Sequence, residues 1–94
     1  MINTKLHRGS FPEFLAACSD ARREKMRALE RAQEALDAKL VNVRRLNDAG
    51  LHQRADALGR SSYDTFHKER RGIEDVYAIA CRAAWDTYSD AITA

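Results

Sequence analysis

Apolar residues return at steps of threes and fours through two long stretches of this chain. In the first stretch Leu15, Cys18, Met26, Leu29, Leu36, Leu40, Val43 and Leu46 carry the stripe. In the second, Leu51, Ala55, Leu58, Ser62, Phe66, Ile73, Tyr77, Ala80, Ala84, Tyr88 and Ile92 continue it to the end. Both follow the period of one face of an α-helix. Leu29, Leu36 and Val43 lie seven apart, whereas Cys18, Leu29 and Leu40 lie eleven apart, so the stripe drifts little and predicts weak supercoiling. The elements predicted are a helix over 11–49, a turn at 50–51 and a helix over 52–92.

Local signals fix the ends of these helices. Ser10 and Glu13 have the spacing of a capping box, and Pro12 falls in the first turn, where its missing N–H costs nothing. No further Pro or Gly occurs before Gly50, a run of about 39 residues or roughly 58 Å of helix. Gly50 suits the left-handed position that ends a helix, with Leu51 and Leu46 as the apolar pair of a Schellman stop. A stop followed at once by a second amphipathic stretch predicts an αα-hairpin. Folding about the turn sets Val43 against Leu58, Leu36 against Phe66, Leu29 against Ile73, and Met26 against Val76 or Tyr77. Gly72, at a cost of about 1 kcal/mol relative to Ala, opens an alternative three-helix bundle with a break there.

The expected fold is therefore all-α, two long antiparallel helices in a coiled-coil-like hairpin. It is one domain over 10–94, preceded by a flexible arm, residues 1–9. Composition adds an energetic argument. Apolar residues are 45% of the chain, yet there are only three Phe, three Tyr and one Trp. Ala fills the apolar positions and buries little area per contact. A lone hairpin of this kind is marginal against its chain entropy, so a homodimer, closing a four-helix bundle, or a hetero-complex is expected.

Charge narrows the class of partner. Lys, Arg, Asp and Glu make up 32% of the chain but nearly cancel, to a net charge of +2. That is the balance of solvated helices rather than the basic excess of a nucleic-acid binder. No apolar run reaches membrane-spanning length. Met1 to Gly9 holds Lys5 and Arg8 but no apolar signal core, so a cytoplasmic setting is expected.

Candidate chemistry is sparse. Asp64 and His67, with Glu30 and Glu34 opposite, have part of the pattern of a di-metal helix bundle, which only a symmetric dimer would complete. Asp64 also supports Lys68 one turn on. Cys18 and Cys81 come within a turn of facing each other, which suits a disulfide, a redox pair or two small buried residues; the role expected is that of free thiols filling the core as small apolar groups. Neither has an acid or His at helical spacing to activate it. No catalytic residue, metal ligand or cofactor is assigned.

The candidate binding residues are of two kinds. Arg23, Arg27 and Arg31 form a ladder of like charge on the first helix. Arg70 and Arg71, next to Lys68, form a second basic group. Both are interleaved with acids, among them Asp20, Glu24, Glu74 and Asp75. The interleaving suits a docking stripe better than a nucleic-acid surface, which also needs stacking aromatics. Phe11, Phe14, Trp85, Tyr88 and Ile92 gather at the open end of the hairpin, either to cap its core under Ile2 and Leu6 or to meet a partner. Asp86 and Asp90 lie close by, where Lys5 and Arg8 of the arm are available to neutralise them.

The turn reads Asn47-Asp48-Ala49-Gly50-Leu51, without the Trp-x-Gly of small secretion-substrate hairpins. The arginines do not reproduce the carboxylate-binding pattern of helical chorismate mutases. The function expected is a non-enzymatic protein–protein interaction module, an adaptor or a small inhibitor. One version of the inhibitor is a phage-encoded protein directed at a host defence complex. The alternatives are nucleic-acid binding through the arginine rows and a dimeric metal-binding bundle.

Overall fold

The computed structural model describes residues 10–93. Two helices account for nearly all of them: α1, Phe11–Asp48, and α2, His52–Thr93, joined by a tight turn into a helical hairpin. No strand occurs among the described residues. The arm, with Ile2, Lys5, Leu6 and Arg8, lies outside the described residues.

Each helix end is closed as its sequence requires. The Ser10 hydroxyl oxygen accepts a hydrogen bond from the Glu13 N–H at 3.2 Å, and the Ser10 carbonyl accepts from Phe14 at 3.0 Å. One of the first-turn donors that a helix leaves unpaired is thereby satisfied by a side chain. At the other end Gly50 takes φ 79°, the left-handed region. The Leu51 N–H donates to the Leu46 carbonyl at 2.9 Å and the Gly50 N–H to that of Asn47 at 3.0 Å. These two bonds are the Schellman pair. His52 Nδ1 lies 3.0 Å from Asn47 Oδ1, tying the first residue of α2 back across the turn.

Helix α2 runs through Gly72 without a break. Nothing lies within 4 Å of where a Cβ would stand on Gly72. Helix-compatible residues flank it on both sides, and a penalty of about 1 kcal/mol does not outweigh continuous backbone pairing. The three-helix alternative is thereby set aside.

The chain divides into two compact units, one formed by residues 10–26 with 74–93, the other by Arg27–Ile73. The Arg27–Ile73 unit contains every fully buried residue among those described: Ala32, Leu36, Ala55 and Ser62. Ala55, Gly59 and Ser62 recur at helical spacing and present a row of small groups. A Cβ on Gly59 would stand 4.0 Å from Val43 Cγ2, so Val43 lies against this row. Ser62 is buried without loss because its hydroxyl donates to the Leu58 carbonyl at 2.6 Å, a back-bond to the preceding turn. Leu36, at 5% exposure, is the one large apolar side chain fully covered among the described residues.

In the unit formed by 10–26 and 74–93, no described residue is fully buried. Here the expected seam needs correcting. Met26 and Val76 are both exposed, Val76 at 66%, and do not form a core pair. Instead Lys25 reaches Tyr77, its Nζ 4.7 Å from the ring centroid. The ammonium rests on the π-face, within the range of a cation–π attraction. Leu15 is also exposed, as is Leu51 at the turn. Two helices share a single seam, so apolar residues a quarter-turn off it have nothing to pack against.

Candidate functional site

Four rings come together in the unit of 10–26 and 74–93. Phe11 and Phe14 stand one turn apart at the start of α1, Trp85 and Tyr88 one turn apart near the end of α2. Phe14 is at the centre: it stacks on Tyr88 at 5.3 Å between centroids and meets Trp85 edge-on at 5.8 Å. Phe11 contacts Tyr88 at 5.9 Å and Phe14 at 6.3 Å, and Trp85 contacts Tyr88 at 5.8 Å. These separations and tilts are those favoured by aromatic quadrupoles, each pair contributing about 0.5–1.5 kcal/mol beyond area burial.

The cluster is not closed. Phe14 and Tyr88 are half-buried, whereas Phe11 is 53% and Trp85 49% exposed. Leu15, one turn after Phe11, and Ile92, one turn after Tyr88 and 60% exposed, extend the apolar surface along each helix. A second exposed apolar pair, Val76 and Ile79, lies three apart on α2. Sequence periodicity finds the four rings but counts Leu15 and Val76 as core and passes over Ile79. Period alone assigns a residue to a stripe, not to the covered part of it.

The charged rows are solvated. Arg23 lies 3.6 Å from Asp20 and Arg82 3.7 Å from Asp86, pairs of i,i+3 and i,i+4 spacing that are well exposed. Such pairs contribute at most about 1 kcal/mol. Asp86 is thus met by a residue of its own helix. Arg27, Arg31, Arg70 and Arg71 are exposed on the Arg27–Ile73 unit. His67 stands among rings rather than carboxylates, 6.5 Å from Tyr63 and 5.7 Å from Phe66. No three His, Cys, Asp or Glu side chains converge among the described residues.

Cys18 and Cys81 are both free and half-buried, and they meet across the seam. The Cys18 thiol is pushed up from its ordinary pKa by desolvation first, then by the charge of Cys81 and a hydrogen bond to it. Tyr77, one turn before Cys81, is likewise pushed up, chiefly by its hydrogen bond to Cys81.

No described helix is long and apolar enough to cross a membrane. The fold and surface define a helical hairpin with an open aromatic end. Comparison with protein-family models, curated proteins and solved structures finds no match to this chain.

Proposed function

We propose that this chain is a non-enzymatic protein–protein interaction module that binds its partner through the aromatic end of the hairpin. The observation behind this reading is the open ring cluster: Phe11 and Trp85 leave about half their surface in water beside exposed Leu15 and Ile92. At roughly 150–250 Å² for a whole aromatic side chain, these four residues together offer about 400 Å² of apolar surface. A stable interface takes about 800 Å² from each partner, a little over half of it apolar. The face therefore supplies most of the apolar share that a specific complex requires. The Trp and Tyr it contains are residue types that carry much of the binding energy when a partner covers them.

An adaptor within an assembly or secretion complex fits this face. So does a small inhibitor, such as a phage-encoded protein aimed at a host defence complex. The setting proposed is the cytoplasm, where thiols such as Cys18 and Cys81 stay free. Arg82, one turn before Trp85, serves as part of a polar rim that steers the encounter rather than as its anchor.

The test compares capture from native cells by the wild-type chain and by a chain carrying Phe11→Ser and Trp85→Ser, with helicity checked by circular dichroism. A protein retained by the wild type and lost from the equally helical variant supports the proposal. The same proteins in the same amounts on both would overturn it. Sedimentation of the two chains shows whether the partner is a second copy, since a homodimer then dissociates in the variant.

A further inference from the structure

The register of the aromatic end also sets two thiols opposite each other. Phe11 meets Tyr88 and Phe14 meets Trp85. Three residues forward on α1 correspond to three back on α2. Four further in the same sense lead from Phe14 to Cys18 and from Trp85 to Cys81, so the cysteines form the next layer of one seam. The half-buried neighbours at this level, Ala21, Ala80 and Ala84, are small, which lets two helices approach more closely than large side chains allow. Both cysteines are reduced and only partly covered, so a small reagent has access to them.

We propose that Cys18 and Cys81 form a cross-helix dithiol, a modification site that reacts with low-molecular-weight disulfides and closes to an intramolecular disulfide. This goes beyond partner binding and does not depend on it. The exchange runs in two displacements. The Cys81 thiol gives its proton to water and its thiolate attacks one sulfur of the small disulfide; the S–S bond breaks and the expelled thiolate takes up a proton. The Cys18 thiolate then attacks the Cys81 sulfur and expels the second small thiolate, which is protonated in turn. Two protein thiols are oxidised by two electrons in all, and one small disulfide is reduced to two thiols.

Tyr77, one turn before Cys81 on α2, has its phenol pushed up chiefly by hydrogen bonding to Cys81. The Cys18 thiol is pushed up first by desolvation and then by Cys81, which agrees with the two groups lying side by side in the seam. Closure would link residues 63 apart in the chain, a constraint that acts strongly on the unfolded state.

Incubating the reduced full-length chain with oxidised glutathione tests the proposal. The expected product is two hydrogens lighter by intact mass, carries no glutathione, runs as a monomer without reductant, and melts on the order of 10 °C higher. The Cys18→Ser chain should stop at one glutathione on Cys81; Cys18→Ala provides the same readout if serine weakens the seam. Two stable glutathione adducts per chain, or disulfide-linked dimers as the main product, would overturn the proposal.

Discussion

The two compact units of this chain use opposite residue types for the same architecture. Between Arg27 and Ile73 the helices meet through Ala32, Leu36, Ala55 and Ser62, small groups and one leucine that reach full burial, with half-buried Gly59 among them. In the unit of residues 10–26 and 74–93 they meet through rings, a lysine and two thiols, and nothing described there is fully buried. Small side chains close a two-helix seam because they let the backbones approach. Large rings meet one another across the seam and leave about half of Phe11 and Trp85 outside. The first unit is built for stability, and the second keeps surface available at some cost in stability.

The same substitution at the two ends should separate these roles most strongly. Leu36→Asp places a carboxylate at a fully covered position, and with neither water nor a partner there it should cost more than about 3 kcal/mol. Loss of most helical circular dichroism is the expected result. Leu15→Asp, at an exposed position of the other unit, should cost about 1 kcal/mol or less and leave the spectrum nearly unchanged. If both variants unfold alike, the contrast between the units fails.

The glycines give smaller effects of opposite sign. Gly50→Ala forces a Cβ into the left-handed region and should lower stability by about 1–2 kcal/mol. Gly72→Ala meets open space in a continuous helix and should raise stability by about 1 kcal/mol. For a chain of this size that is a rise of roughly 4–8 °C in melting temperature. A fall in melting temperature for Gly72→Ala would mean that the helix needs a break there. The smallest effect is expected at Ile92→Ser, near the end of α2, with a melting temperature within about 3 °C of the wild type and reduced partner capture.

Much of the fold is legible in the sequence because its signals are local. Ser10 with Glu13, and Leu46, Asn47, Gly50 and Leu51 at the stop, act through backbone hydrogen bonds within one turn, so their spacing is nearly sufficient. Register at a row of small groups is harder to read, because it depends on how close the backbones come. The failure is greatest at Met26. Its spacing fits the stripe, but Lys25, one position away, offers a cation for the Tyr77 ring, so the lysine takes the seam. The candidate site was half visible for the same reason. Four rings near the chain's two ends mark themselves, whereas the exposure of Leu15, Val76 and Ile79 follows from there being only two helices to cover each other.

Native-state hydrogen exchange followed residue by residue tests the division between the units most directly. Amides around Ala32–Leu36 and Ala55–Ser62 should exchange slowest, at least about tenfold slower than those of residues 11–18 and 81–90. Equal protection in the two units, or slower exchange at the aromatic end, would contradict the assignment of stability to one and binding surface to the other.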